Sequence, residues 1–321
     1  MPVDLRLRAL EWVHRQLPET PLEQLTPTQA RREFDRSIAI GSSLLFGRRR
    51  AMASVRPVHI EIGGAAPRSL RARLYRPHFG GGPLPVVVFF HGGGWVVGSI
   101  DTHDKMARSL AFHSGLPVLS VEYRLAPEVP FPGPLEDAYE AVCWIARRAE
   151  DFGLDGTRLA VAGDSAGGNL ATSVCLVARD RGGPAIATQV LFYPGVDTRL
   201  STPSYKEFAE GQWLTAARAR WFRDRYAHGL ADLSVPYLSP AQAPNLRDLP
   251  DALVITAEND VLRDEAERYA ADLRGAGVPT EHYRFHGMVH GFSMMEGLLP
   301  EARRSLALAG RHLARVFRRR A

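Results

Sequence analysis

The residues best suited to chemistry lie in Gly163-Asp164-Ser165-Ala166-Gly167, between a short apolar run and a helix-like run. A serine on a sharp strand-to-helix turn exposes its hydroxyl, and only small neighbours let the strand and the helix approach. Such a nucleophile elbow predicts Ser165 as the nucleophile of an acyl transfer. The alternative is a plain glycine-rich turn, since the chain has 29 glycines. The flanking strand and helix favour the nucleophile.

A serine nucleophile needs a base, and the base needs a carboxylate that fixes its tautomer. Asp260 follows the apolar run 253–257, at the carboxyl end of a predicted strand, where open α/β sheets bind their ligands. His290 lies in a short turn after the strand-like segment 282–285. Asp260 and His290 are therefore predicted to complete a catalytic triad with Ser165, in the chain order serine, acid, histidine.

Other residues compete for the roles of acid and base. Glu258 and Asp264 lie close to Asp260 in sequence, and each could instead be solvated or begin the next helix. His282 falls inside the strand pattern and His286 precedes the turn. Position thus favours His290 as the base and leaves the two acidic alternatives open.

A second glycine-rich segment, His91-Gly92-Gly93-Gly94-Trp95, ends the buried strand predicted over 85–90. Glycines leave backbone N–H groups unshielded, which suits an oxyanion hole for a tetrahedral intermediate. Phosphate binding is the competing use, but the spacing fits neither the P-loop nor the dinucleotide fingerprint. His91 itself could be a base, although a structural hydrogen bond at the strand end is the preferred interpretation.

Composition is that of an ordinary soluble globular chain, with 45% hydrophobic and 23% charged residues. The net charge of +5 is spread along the chain, so we expect no nucleic-acid partner. Cys143 and Cys175 fit no metal, redox or disulfide spacing and are read as buried thiols in a reducing compartment. With no signal-like or membrane-spanning apolar run, the expected location is the cytoplasm.

Strand and helix patterns alternate over most of the chain and must position these residues. Segments 55–62 and 70–75 alternate with period two and predict an antiparallel hairpin. Five apolar runs follow, each succeeded by a helix-like segment, which predicts a parallel sheet covered by helices on both faces. The runs are 85–90, 118–123, 159–162, 190–193 and 253–257. The fold class is therefore α/β.

The two glycine-rich segments and three further motifs resemble the hormone-sensitive-lipase family of α/β-hydrolases, particularly its bacterial carboxylesterases. The motifs are HGGGW at 91–95, YRLAPE at 123–128, GDSAGGN at 163–169, DVLRDE at 260–265 and VHGF at 289–292. The resemblance implies an eight-stranded, mostly parallel sheet and an oxyanion hole formed by the amides of Gly93, Gly94 and Ala166. Val129 and Val261 depart from the family pattern and affect only local loop shape.

The resemblance also implies a helical cap and divides the chain into four segments. Residues 1–50 are the N-terminal part of the cap, 51–196 and 245–321 the α/β-hydrolase core, and 197–244 the cap insertion. The insertion is long, aromatic and partly helical where a plain connection would need far fewer residues.

The expected function is a serine carboxylesterase that hydrolyses short- to medium-chain esters, with a small-molecule substrate and no cofactor. An amidase, lactonase or arylformamidase with the same triad is the alternative enzyme. A non-catalytic receptor is the alternative class, because plant gibberellin receptors resemble this family but lack the catalytic histidine. His290 disfavours the receptor.

Two surfaces lead to further predictions, one of a dimer interface and one of a membrane-binding face. The last predicted strand, 282–285, would leave an unpaired edge, and the resemblance suggests a homodimer through it. The C-terminal helix places Leu306, Leu313 and Phe317 on one face and arginines on the other. This face could bind a membrane surface, but packing against the sheet is the commoner outcome.

Overall fold

A twisted sheet of eight strands forms the centre of the part of the chain that the computed structural model describes, residues 2–15, 20–41, 53–62, 68–78, 82–211 and 213–319. The strands are β1 (Ala53–Ile62), β2 (Arg68–Pro77), β3 (Leu84–Phe90), β4 (Val118–Val121), β5 (Leu154–Asp164), β6 (Ile186–Phe192), β7 (Asp251–Asn259) and β8 (Thr280–Val289). Their order in the sheet is β1-β2-β4-β3-β5-β6-β7-β8.

The predicted hairpin and the predicted parallel strands are both present. β1 pairs antiparallel with β2, and β2 pairs antiparallel with β4. All other pairs are parallel, so the strands from β3 to β8 end at the same edge of the sheet. Residues 63–67, between β1 and β2, lie outside the described residues.

Helices cover both faces of the sheet, as the apolar strands require. They are α1 (Leu5–Arg15), α2 (Pro27–Gly41), α3 (Asp104–Ser114), α4 (Gly133–Arg148), α5 (Ala166–Asp180), α6 (Ser204–Glu207), α7 (Ala216–Tyr226), α8 (Arg263–Gly275) and α9 (Pro300–Arg319). In β3, Val86, Val88 and Phe90 join the core formed with α4, α5 and α8. Val87 and Phe89 join the opposite core, formed with α3 and α9. This alternation is the period of two of a strand buried on both sides.

Most strand bounds differ from the prediction, by up to five residues. β5 begins at Leu154 rather than Leu159, because its polar first half pairs with the start of β3 despite lacking an apolar pattern. In the pairing with β3, a register shift between Pro85 and Val86 separates this half from the buried half, which begins at Leu159 and also pairs with β6. β4 ends at Val121 rather than Tyr123, which lies in the following loop. Backbone pairing between strands therefore sets the start of β5 and the end of β4.

The apolar face of the C-terminal helix packs inside the molecule. Leu306 and Leu313 are fully buried and Phe317 is 4% exposed, all in the core shared with α3. This face is therefore not available to a membrane surface. Among the described residues, no helix combines the length and apolar character needed to cross a bilayer.

Candidate active site

Ser165 lies on the turn that joins β5 to α5. Its backbone has φ 54° and ψ −118°, a left-handed φ that non-glycine residues adopt at some energetic cost. A Cβ at Gly163 would overlap the carbonyl of Gly167, and a Cβ at Gly167 would overlap that of Phe90. Glycine at both positions is thus what lets the strand, the helix and β3 approach, as the nucleophile-elbow interpretation predicted.

The three predicted triad residues meet at the carboxyl edge of the sheet. His290 Nε2 lies 2.9 Å from Ser165 Oγ, and His290 Nδ1 lies 2.7 Å from Asp260 Oδ2. Asp260 is 2% exposed, and its Oδ1 accepts a hydrogen bond from the Leu262 amide at 3.0 Å. A carboxylate beside Nδ1 favours the tautomer with a proton there, which leaves the Nε2 lone pair for the serine proton.

The competing acids and bases have other partners. Glu258 accepts hydrogen bonds from the Gly287 amide at 2.7 Å and contacts His286 Nδ1 at 3.1 Å. Asp264 accepts from the Ser204 amide at 2.8 Å. His282 Nε2 lies 3.0 Å from the hydroxyl of Thr256. The hydrogen bonds of the described residues thus bring Asp260, and neither alternative acid, to His290.

The three predicted oxyanion donors line one cavity with Ser165 and His290. Gly93 and Gly94 have φ values of 117° and 58° in the loop after β3, and Ala166 is the first residue of α5. Among the described residues, the amides of Gly93 and Gly94 donate no hydrogen bond to a backbone carbonyl. Unpaired N–H groups beside a nucleophile are the donors an oxyanion requires.

His91 has a structural environment. Its Nδ1–H donates to the Gly92 carbonyl at 2.8 Å, and its ring stacks on Tyr123 with centroids 4.3 Å apart. The Tyr123 hydroxyl donates to the His91 carbonyl at 2.7 Å. Burial, with a smaller contribution from neighbouring His103, lowers the pKa of His91 to about 3. A neutral, buried ring with these partners fits the structural role expected for it.

Asp164 is a site residue that sequence reasoning missed. It is 3% exposed, and its Oδ1 accepts a hydrogen bond from the Gly92 amide at 2.9 Å. Its Oδ2 lies 3.5 Å from Nε2 of buried His103. Asp164 therefore ties the serine turn to the glycine loop. The signal was a charged residue inside a glycine-rich turn, but its partner lies 72 residues away in sequence.

The cavity has a volume of about 350 Å³ and a mainly apolar wall. Residues before β1 and after β6 supply much of the wall: Leu10, Leu22, Phe34, Ile38, Leu200, Leu214 and Phe222. Trp95 and Trp213 also line it. Neither Phe208 nor Met288 is among the lining residues: the Arg263 guanidinium lies 4.9 Å from the centroid of the Phe208 ring, and Met288 is 1% exposed in the core. Among the described residues, no three His, Cys, Asp or Glu side chains are arranged to hold a metal ion.

Comparison with known proteins identifies relatives that agree with the fold described above. The family described as the alpha/beta hydrolase fold matches residues 87–294. Esterase LipI of Mycobacterium tuberculosis is 41% identical over 262 residues, covering 77% of this chain and 80% of the relative. Ethyl acetate hydrolase of Pseudomonas putida is 35% identical over 291 residues, covering 90% of each chain.

One solved structure superposes on nearly the whole chain. The thermostable esterase from Pseudomonas putida ECU1011 superposes with a TM-score of 0.91 at 37% identity, covering 98% of this chain and 97% of that one. The chain therefore belongs to the α/β-hydrolase fold family, in its hormone-sensitive-lipase branch.

Proposed function

We propose that this protein is a serine carboxylesterase that hydrolyses short- to medium-chain esters through an acyl-enzyme. The observation that carries the proposal is the chain of hydrogen bonds from Ser165 through His290 to buried Asp260, at the wall of an apolar cavity. The names of the relatives support ester hydrolysis: one is an esterase and another an ethyl acetate hydrolase.

In the first half-reaction, Ser165 Oγ attacks the ester carbonyl carbon as His290 Nε2 takes its proton. Asp260 accepts the Nδ1–H bond and stabilises the imidazolium. The carbonyl oxygen becomes an oxyanion that receives hydrogen bonds from the amides of Gly93, Gly94 and Ala166. Collapse of the tetrahedral intermediate breaks the bond to the alkoxy oxygen, which takes the proton from His290 and leaves as the alcohol.

In the second half-reaction, water replaces the alcohol. His290 takes a proton from the water, whose oxygen attacks the acyl carbon of the Ser165 ester. The second tetrahedral intermediate then expels Ser165 Oγ, which regains its proton from His290. The products are the carboxylic acid and the unmodified enzyme.

The size of the cavity supports the proposed chain length. Its volume of about 350 Å³ is near the lower end of the range for small-molecule pockets. We propose that segments 1–50 and 197–244 form the cap, because α1, α2 and α7 all contribute wall residues. Bulky side chains such as Phe34 and Phe222 would then limit the length of the acyl chain.

The first test is hydrolysis of p-nitrophenyl acetate, butyrate, octanoate and palmitate by the wild type and Ser165→Ala. We expect the wild type to cleave the shorter esters, with the rate falling sharply toward palmitate. Ser165→Ala should lose on the order of 10⁶-fold in kcat, because the nucleophile and its base act as a unit. A folded Ser165→Ala that keeps most of its activity would overturn the assignment of the nucleophile.

The alternative functions make different predictions in the same assay. A folded wild type that cleaves none of these esters would favour an amide, lactone or arylformamide substrate, or a receptor. The hydrogen-bonded position of His290 beside Ser165 supports catalysis, because a binding protein has no need of an aligned base.

We further propose a homodimer formed through β8. Among the described strands β8 pairs only with β7, and the exposed side chain of Tyr283 lies on it. An unpaired edge strand is a template for a second copy. Sedimentation equilibrium tests the proposal, and a wild type that remains monomeric at high micromolar concentration would contradict it.

We also propose that the protein acts in the cytoplasm. The support is the pair of buried free thiols, Cys143 and Cys175, which suits a reducing compartment. Cell fractionation followed by detection of the protein tests this location, and recovery in a secreted fraction would contradict it.

A further inference from the structure

The oxyanion loop, residues 92–98, carries two of the proposed oxyanion donors in an unusual backbone conformation. Three consecutive residues, Gly93, Gly94 and Trp95, have φ values of 117°, 58° and 61°. Glycine adopts such values readily, but a residue with a side chain does so at a cost and needs support from its surroundings. Contacts with other segments must therefore hold Trp95 in this conformation.

Tyr226, the last residue of α7, stacks on Trp95. The ring centroids are 4.3 Å apart and the ring planes differ by 8°. Tyr226 is fully buried and is itself fixed by Phe131, whose amide donates to the Tyr226 carbonyl at 2.8 Å. The Phe131 ring also meets the Tyr226 ring edge-on, with centroids 5.8 Å apart. A fixed ring of α7 therefore packs face to face against the indole of Trp95.

Helix α7 makes a second contact with the oxyanion loop, at Gly94. A Cβ on Gly94 would overlap Cγ of Phe222, so the Phe222 ring packs directly on this glycine. Phe222 also lines the cavity, whereas Tyr226 does not. Tyr226 therefore reaches the loop without forming part of the wall that a substrate would touch.

Arg31 of α2 holds the same loop from the N-terminal segment. Its Nε donates to the Val96 carbonyl at 2.8 Å, and its Nη2 donates to the Ala126 carbonyl at 2.9 Å. The Ala126 amide in turn donates to the Trp95 carbonyl at 2.9 Å. Both segments of the proposed cap thus contact the oxyanion loop.

We propose that the cap holds the oxyanion loop in its catalytic conformation, with Tyr226 and Arg31 as positioning residues. Held in this way, the amides of Gly93 and Gly94 stay available to the oxygen that becomes the oxyanion. The inference rests on the proposed ester hydrolase activity and oxyanion donors. It gives the cap a part in the rate of reaction besides its part in shaping the pocket.

The proposal predicts a loss of kcat rather than of substrate binding. Without the stack, the left-handed φ of Trp95 is unsupported, and the loop samples conformations in which the donors point elsewhere. The oxyanion forms only after Ser165 attacks, so its donors act in the transition state and contribute little to binding of the intact ester.

The first test replaces Tyr226, whose ring rather than hydroxyl makes the contact. The hydroxyl has no hydrogen-bond partner among the described residues. Tyr226→Phe should therefore keep the stack and wild-type kinetics, whereas Tyr226→Leu removes the stack. With p-nitrophenyl butyrate, Tyr226→Leu should lower kcat at least about tenfold with little change in KM, since complete loss of one oxyanion donor costs about 100- to 1000-fold.

A transition-state analogue measures the oxyanion hole directly. Ser165 Oγ adds to the carbonyl carbon of butyl trifluoromethyl ketone, the serine proton passes to His290, and the ketone oxygen becomes an oxyanion at the donors. The inhibition constant should rise in Tyr226→Leu by the factor by which kcat/KM falls. An unchanged inhibition constant, or a raised KM at normal kcat, would overturn the positioning role.

Trp144→Leu is the matched control for a general loss of stability. Trp144 is buried in the same core as Tyr226 and packs against Phe152 with centroids 5.6 Å apart, but it does not line the cavity. Its substitution should lower the free energy of unfolding and leave kcat unchanged. Equal losses of kcat in Trp144→Leu and Tyr226→Leu would contradict the inference.

Arg31→Met decides the matter if Tyr226→Leu does not fold. This substitution removes the hydrogen bonds to the carbonyls of Val96 and Ala126, so kcat should fall with little change in KM. Glu128→Gln is its control, because it removes the exposed charge that pairs with Arg31 and leaves the bonds to the loop. A folded Arg31→Met with the kcat of Glu128→Gln would then refute the proposal.

Hydrogen exchange separates this inference from the proposed function. The amides of Val96 and Val97 donate to the Gly93 carbonyl at 3.1 and 2.9 Å, so their exchange rates report whether the loop keeps its conformation. We expect faster exchange of these amides in Tyr226→Leu and wild-type exchange in Tyr226→Phe. A wild type that hydrolyses no ester would contradict the esterase proposal alone. Equal protection of the two amides in the wild type and Tyr226→Leu would show that the cap does not hold the loop.

Discussion

At the scale of single residues, the site depends on groups that hold the reacting atoms in place. The second oxygen of Asp260 is fixed by the Leu262 amide, and the ring of Tyr193 packs edge-on against His290 with centroids 5.0 Å apart. These contacts restrict the imidazole to the orientation that reaches Ser165. Asp164 restricts the glycine loop in the same way through its bond to Gly92.

Substitution Asp164→Ala tests this positioning role. Without the carboxylate, the Gly92 amide loses its partner and the loop that carries Gly93 and Gly94 is no longer held against the serine turn. We expect kcat for p-nitrophenyl butyrate to fall on the order of 100-fold or more, comparable to loss of an oxyanion donor, with little change in KM. Steady-state kinetics decides the point: a raised KM at normal kcat would show that Asp164 serves substrate binding instead.

At the scale of elements, one buried carboxylate connects a strand, a loop and a helix. Asp137 of α4 is fully buried, and its oxygens accept hydrogen bonds from Arg68 of β2 at 2.8 Å and from Arg124 in the loop after β4 at 2.7 Å. The hairpin end, the loop with the YRLAPE motif and the helix are thereby fixed to one another. Such a contact spans 69 residues of sequence, and charge pattern alone does not reveal it.

Asp137→Asn should destabilise the protein by about 3 kcal/mol. The substitution leaves two guanidinium groups without their anion, and breaking a buried ion pair costs about 3–5 kcal/mol. The lower end applies because the side chains of Arg68 and Arg124 remain 26% and 39% exposed. Urea unfolding measures the loss. Asp151→Asn is the control, since the ion pair of Asp151 with Arg148 is exposed. This substitution should change the free energy of unfolding by under about 1 kcal/mol. Equal losses in the two variants would contradict the prediction.

At the scale of the whole molecule, burial of titratable groups couples folding to pH. Burial and the nearby His103 lower the pKa of His91 to about 3 in the folded state, whereas an unfolded histidine titrates near about 6.5. Between these values the unfolded chain binds one proton more than the folded chain. The stability that the neutral ring provides is therefore complete above pH ~6.5 and is lost as the pH falls toward 3.

We expect the free energy of unfolding to fall by about 1.4 kcal/mol per pH unit from this histidine between pH 6 and 4. His91→Gln should reduce the slope by about that amount, although it also lowers stability at pH 7 by removing a packed ring. Denaturant unfolding at several pH values measures both. His59→Gln, at an exposed position on β1, should leave the slope unchanged, and an equal slope in the wild type and His91→Gln would refute the linkage.

The sequence alone predicted the fold class, the candidate nucleophile Ser165 and the candidate base His290, because these depend on short-range patterns. Apolar strands, small residues around Ser165 and the order of serine, acid and histidine are all visible in local segments of the chain. The same patterns favoured Asp260 only by its position, because Glu258, Asp260 and Asp264 lie close together in sequence. In the fold they fall in different places, at the end of β7, in the turn after it and at the start of α8.

Tertiary structure decided what depends on contacts between distant segments. The hydrogen bond between Asp164 and Gly92, the burial of the C-terminal helix and the apolar wall of the cavity all depend on segments that local patterns treat separately. Hydrogen-bond satisfaction and burial are properties of the packed chain. For that reason the class of chemistry is predictable from the sequence, whereas the lining of the cavity emerges only from the folded protein.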